Sequence, residues 1–254
     1  MARYQVILTY DGTQFRGFQR QALEPTVQGV VEEALRQLGW AGSSLLAAGR
    51  TDTGAHAFGQ VIAFDLEWKH TPQDLTAALN ALLPGDVAAR SARVVGVDFH
   101  PRYCAIARQY AYRIFCQPVR DPLRERYAWR VWPPADFDAL QRVSASFLGT
   151  HDFAAFGTPP RAGGSTVRSV TSSFWRIDQG SWDPPEAVFE IVANAFLYRM
   201  VRRMVYVQVA IAQGLLDESA ICQNHEWPPL SPLQGIAPAH GLTLVRVFYL
   251  QPGE

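Results

Sequence analysis

The sequence predicts an α+β protein of two ferredoxin-like (RRM-like) halves, 1–100 and 101–254, whose antiparallel sheets join side by side with helices on one face. Two observations carry this. Over residues 1–97 the apolar pattern follows a period of two, then 3.6, two, two, 3.6 and two, which is the β-α-β-β-α-β order of a ferredoxin-like unit. Beyond residue 104 sheet-type and helix-type patterns alternate again, although no repeat is visible in the residues themselves. With 254 residues, 48% apolar and 18% charged, the chain can bury a core as one large domain or two small ones.

Residues 3–10, RYQVILTY, alternate as a strand, and DGTQFRG follows as a turn-rich loop. Thr26 caps a helix in which Val27, Val30, Val31, Ala34, Leu35 and Leu38 keep helical spacing and Gly39 marks the end. A second strand is expected at 43–48, running into a turn from Arg50 to Gly54, and a third at 60–66. Thr71 and Pro72 open the next helix, TPQDLTAALNALL, which Pro84 stops, and a strand at 88–97 closes the half. The second half opens on CAIARQYAYRIF, where the period of two puts Ile106, Arg108, Tyr110, Tyr112 and Ile114 on one face. A short strand near YAWRVW, a helix at 136–147 and a Pro/Gly-rich loop at 157–165 follow. Strands at 166–177 and 186–195, a helix at 197–213 and a strand at 241–250 complete the chain.

The N-terminal residues enter a strand pattern without the apolar core of a signal peptide, and no stretch supplies about 18 unbroken apolar residues. A cytoplasmic protein with no membrane partner is expected. Cys104, Cys116 and Cys222 lie far apart with no C-x-x-C pair, which points to buried thiols and to neither disulfides nor a metal site. Net charge is zero, yet residues 99–176 hold eleven Arg against five acids. Lys69 is the only lysine, so nearly every cation is a planar fork suited to phosphate contact. A clustered excess of this kind points to a nucleic-acid face.

The stretch AAGRTDTGAHAFGQV, 47–61, sets an Asp-Thr-Gly triplet in a Gly-rich turn led by Arg50. An acid protease needs two carboxylates sharing one proton, whereas this chain has a single such triplet with a cation two residues away. A bare Asp-x-Gly is more simply a turn-stabilising aspartate. The surrounding residues change that reading, because GRTDTGAHAFGQV resembles the block that marks the tRNA pseudouridine synthase A family. YDGTQFRGFQRQ with TVQGVVEEAL, LNALLPGDV, FHPRYCAIARQYAYRI, HDFAAF with TVRSV, ANAFLYRMVRRMV and APAHGLTLVRVFY are similar to further blocks of that family, in its order and over nearly the whole chain. Departures are Pro101 at a usual Ala, Gln109 at a common basic position and Tyr206 where a Gly often stands.

The resemblance implies isomerisation of uridine to pseudouridine in the anticodon stem-loop of tRNA, at positions 38, 39 and 40, with no cofactor, by a homodimer whose active-site cleft lies between the two halves. It implies Asp52 as the carboxylate, which either attacks C1′ or removes a proton from C2′. Both routes need the ionised form, and a guanidinium beside a carboxylate closed under RNA restores the charge that desolvation disfavours. Arg202 matches the family's arginine for that pair, and Tyr110 its active-site tyrosine, able to stack on uracil. Arg50 is placed to enter the space a flipped base leaves or to hold the adjoining phosphate. Arg102, Arg108, Arg124 and Arg126 are candidates for the tRNA backbone, and His56 is a turn-supporting residue. The rival from another class is a non-catalytic RNA-binding module of two RRM-like sheets, which would have no use for an ionised Asp52 among phosphates.

Overall fold

The computed structural model describes residues 1–250 except 160, 162, 181, 219–220 and 222–234. In chain order it holds β1 (Ala2–Tyr10), α1 (Val27–Gln37), β2 (Leu46–Ala47), β3 (His56–Leu66), α2 (Pro72–Leu82), β4 (Val87–Val95) and β5 (Ala105–Cys116). After these come β6 (Trp129–Val131), α3 (Phe137–Ala145), β7 (Gly149–Asp152), β8 (Val167–Asp178), β9 (Glu186–Ala193), α4 (Met200–Ala212) and β10 (Leu242–Tyr249). The protein is mixed α+β with mostly antiparallel strand pairs. It divides into two compact units, Met1–Ile106 with Thr243–Glu254, and Ala107–Leu242. The last strand, expected with the second half, therefore belongs to the first unit, where Thr243 and Leu244 pair in parallel with His56 and Ala57.

In the first unit β1 lies antiparallel between β4 and β3, and the two-residue β2 pairs on β3. Tyr4, Val6 and Leu8 alternate inward on β1 and are buried, as are Val31 and Leu35 of α1 and Leu75 and Leu79 of α2. Thr26 caps α1 by accepting from the Gly29 N–H, and Thr71 and Asp74 form a reciprocal capping box on α2 with Pro72 in its first turn. The strand expected at 43–48 shrinks because the Leu45 N–H donates to Glu32 Oε1 of α1 at 3.1 Å, taking it out of strand pairing.

In the second unit the order is β5-β9-β8-β7, all antiparallel, with β6 parallel to β5. Tyr112, Phe189 and Trp175 stand opposite one another across three strands and are buried, and the Trp175 indole donates to Gln208 Oε1 of α4 at 2.7 Å. β7 was not among the expected strands; it forms through pairing with β8. α4 begins at Met200 rather than 197, because Tyr198 pairs with Thr158 and Arg199 takes a left-handed φ of 63°. Cys104 is exposed, against the expectation of a buried thiol, with its Sγ accepting from the His100 N–H at 3.3 Å; Cys222 lies outside the described residues. Among the described residues no helix is long and apolar enough to cross a membrane.

Candidate active site

The Asp52 turn joins β2 to β3 and is gripped by the loop that leaves β1. The Phe18 N–H donates to the Thr51 carbonyl at 3.1 Å and the Gly54 N–H to the Phe15 carbonyl at 3.3 Å, while Ala55 N–H closes the turn on the Asp52 carbonyl at 3.1 Å. Two glycines make this approach possible. A Cβ on Gly12 would stand 1.9 Å from the Ala55 oxygen, and one on Gly17, whose φ is +89°, 2.9 Å from the Thr51 oxygen. Tyr10 Oη lies 2.8 Å from Thr51 Oγ1, and His56 Nδ1 accepts from the Gly12 N–H at 3.0 Å with Asp11 Oδ1 at 3.2 Å. Buried Gln60 donates to the Gly49 carbonyl at 3.0 Å on the other flank. Within this frame Asp52 is half-buried and Arg50 is exposed. The loop is anchored in turn by fully buried Glu32, which accepts from Arg20 and, at 2.8 Å, from Gln28.

The second unit carries the other expected groups. Tyr110 sits on β5 opposite Ile191, half-buried, with its ring edge-on to Phe196 at 4.9 Å and 83°. Two residues along the same face, Tyr112 is buried and donates its phenol to the Pro238 carbonyl at 2.7 Å. Burial pushes that phenol well above its usual value, against the opposing pull of the Arg202 charge. Arg202, half-buried in the first turn of α4, donates through Nε to the Ala237 carbonyl at 2.7 Å, and its own carbonyl accepts from the Ala237 N–H at 3.2 Å. Segment 237–238 thus holds Arg202 and Tyr112 together. Tyr206, one turn further along α4, is accommodated because residue 235 is glycine: a Cβ there would stand 1.9 Å from Tyr206 Cζ. The supporting roles of Tyr10, Thr51, Phe196 and Ala237 were not read from the sequence, where each looks like an ordinary strand or loop residue.

The arginines divide. Arg124 is 2% exposed: its NH2 donates to the Pro184 carbonyl at 2.9 Å, Nε lies 3.6 Å from Glu186, and the guanidinium stacks 4.1 Å from the Phe115 ring centroid. That corrects its expected place on the RNA face, since a group so covered has no surface to offer a phosphate. Arg102 and Arg126 are exposed beside the rings of Tyr103 and Tyr127, and half-buried Arg108 donates to the Asn194 carbonyl at 2.8 Å. Arg113, Arg120, Arg124, Arg130, Arg142 and Arg176 all lie within 4 Å of carboxylates, several of which follow the Arg-rich segment: Asp178, Glu186, Glu190 and Glu218.

The model of the tRNA pseudouridine synthase family matches residues 6–104 and 143–250. The chain is 39% identical over 247 residues to a tRNA pseudouridine synthase A of Moorella thermoacetica, covering 96% of this chain and 98% of that one. It is 35% identical over 253 residues to the protein of the same name from Lactiplantibacillus plantarum, covering 98% and 95%. A third, from Halalkalibacterium halodurans, is 36% identical over 245 residues, covering 95% and 90%. With the Asp52 turn and the Arg202 helix inside the residues the family model matches, and 35–39% identity over nearly the whole of both chains, the chain belongs to the tRNA pseudouridine synthase family.

Proposed function

We propose that this chain isomerises uridine to pseudouridine in the anticodon stem-loop of tRNA, with Asp52 as the carboxylate that acts on the ribose. The observation that carries the reading is the braced turn. A half-buried aspartate sits where backbone bonds from Phe18, Gly54 and Ala55 converge, so it is held before substrate arrives. In the reaction the N1–C1′ bond breaks, the uracil turns, C5 bonds to C1′, the C5 proton leaves to solvent and N1 takes one up, so atoms balance without any added group. The carboxylate either attacks C1′ or takes the C2′ proton; ionised oxygen serves both. Arg202 is assigned to that charge, with its Nε fixed on the Ala237 carbonyl and further N–H donors on the same guanidinium. Tyr110, whose ring meets Phe196 edge-on, is assigned to stacking on the extruded base. Arg50, exposed two residues before Asp52, is assigned to the vacated stack or its phosphate.

The finer parts of the reading are a homodimer working in the cytoplasm and a duplicated ferredoxin-like plan. Supporting the latter, the element orders β1-α1-β2-β3-α2-β4 and β5-α3-β8-β9-α4-β10 run alike once the short β6 and β7 are set aside.

Asp52→Asn tests the reading, because asparagine keeps the shape and loses the charge. Tritium release from C5-labelled uridine in tRNA, with no added cofactor, should fall at least about a thousandfold while tRNA binding and the melting temperature stay near wild type. Product at a wild-type rate would remove Asp52 from the chemistry and favour a module that binds RNA only.

A further inference from the structure

Asp52 is flanked by two residues that are themselves pinned. Thr51, immediately before it, is 8% exposed, and its hydroxyl meets the Tyr10 phenol, on a side chain 4% exposed, at 2.8 Å. His56, four residues after it, is 6% exposed and its Nδ1 takes the Gly12 N–H at 3.0 Å. Both holding groups come from residues 10–12, where β1 ends. The turn between them contains Gly54 at φ +79°, a conformation glycine adopts without strain but does not enforce. Hydrogen bonds that span a buried pair are geometrically demanding, since no water is at hand to substitute when the partners drift.

We propose that Tyr10 and His56 are positioning residues for the reaction: Tyr10 through Thr51, and His56 through Gly12, set where the Asp52 carboxylate stands. Neither side chain is required to touch the RNA. The inference rests on the reading of Asp52 as the catalytic carboxylate. A carboxylate that must reach one ribose carbon or its proton loses rate steeply when displaced by about 1 Å, so the cost of loosening the turn falls on the chemical step and spares binding.

Tyr10→Phe and Thr51→Val each delete one hydroxyl while keeping the packed shape. With tRNA saturating, the single-turnover rate should drop roughly tenfold or more in each, with tRNA affinity within about twofold of wild type. The double variant should be no slower than the slower single, because one and the same bond is removed. His56→Ala should slow the step similarly, and His56→Asn, whose Oδ1 can accept from Gly12 in place of Nδ1, should restore much of the rate. A purely structural role predicts otherwise: losses that follow the folded fraction in thermal melts, effects that multiply in the double variant, or no rescue by asparagine, any of which overturns the inference. If Asp52→Asn is inactive while Tyr10→Phe and Thr51→Val are as fast as wild type, the positioning inference alone fails. If Asp52→Asn itself turns over normally, it is the assignment of Asp52 that fails.

Discussion

An arginine code letter says nothing about whether its guanidinium meets water, and Arg124 shows what decides it. The chain turns at Asp121, whose Oδ1 accepts from the Leu123 and Arg124 N–H groups, and this sends the Arg124 side chain inward over Phe115. There it meets Glu186, itself 7% exposed, and the Pro184 carbonyl. Among the described residues the Nε atom finds no hydrogen-bond acceptor, so the site holds the charge by ion pairing and ring stacking rather than by a full set of hydrogen bonds. Removing the cation would leave Glu186 buried with Arg113 alone at 2.9 Å. Arg124→Ala is accordingly expected to cost about 3 kcal/mol in urea unfolding, because Glu186 loses a partner and Phe115 its covering guanidinium, without changing how tRNA affinity responds to salt. A destabilisation below about 0.5 kcal/mol, or a flattened salt dependence, would return Arg124 to the RNA surface. Neighbouring Arg126, exposed on the same short loop, differs from it in direction and not in chemistry.

At the scale of elements, the sheet of the second unit carries a ladder of charges on the face opposite the buried Tyr112, Phe189 and Trp175. Arg113 donates to Asp178 and Glu186 at 2.9 Å each, and Arg176 pairs with Glu190 at 2.7 Å, which also accepts from Gln109 at 3.1 Å. The hydrogen bond from Arg113 holds the Asp178 carboxyl below its ordinary range, and the charges of Arg113 and Arg176 act the same way. A depressed carboxylate adds stability that is present above its unfolded value, near 3.9, and is lost as pH falls through the folded one. Asp178→Asn should therefore be less stable than wild type at pH 7, with the gap closing below about pH 4, read as urea midpoints along a pH series. A gap that stays constant with pH would mean the charge contributes nothing. Such ladders were invisible in the sequence, since they depend on the register between strands, with Arg113 and Asp178 65 residues apart. The helices were legible because their signals are local: Thr26, the Thr71–Asp74 box with Pro72, and Asp136 all cap where the pattern placed them. β2 is shorter than expected because Glu32 captures Leu45, and β7 carried no strand signal of its own, being a polar tetrapeptide that β8 recruits. Among the candidate residues, Asp52, Tyr110 and Arg202 stood out as motif residues, whereas Tyr10 and Thr51 did not, being defined by the meeting of a strand end with a turn 41 positions away.

For the molecule as a whole, a net charge of zero and an Arg-rich middle are reconciled by where the acids lie. Eleven arginines at 99–176 face five acids in the same segment, yet Asp178, Glu186, Glu190 and Glu218 follow directly and draw much of that excess into internal pairs. Each arginine that meets a phosphate releases a counterion, and one that must first leave a carboxylate releases less. Affinity for tRNA should fall with added salt, and the slope should depend on which arginines are present more than on how many. Replacing exposed Arg102 and Arg126 with Ala should flatten the plot of log affinity against log salt by about 1.5, at roughly 0.7 to 0.9 for each phosphate no longer neutralised. Replacing Arg130, bound to Glu125 at 3.1 Å, and Arg176, bound to Glu190 at 2.7 Å, should leave the slope nearly unchanged although the same formal charge is removed. Saturated turnover should be kept in the first pair, because arginines that grip the RNA backbone fix register and do no chemistry. Equal flattening by both pairs would mean that total charge, and not its placement, draws the tRNA; no flattening by either would move the phosphate-binding role to other residues, with Arg50 and Arg108 next to be tested.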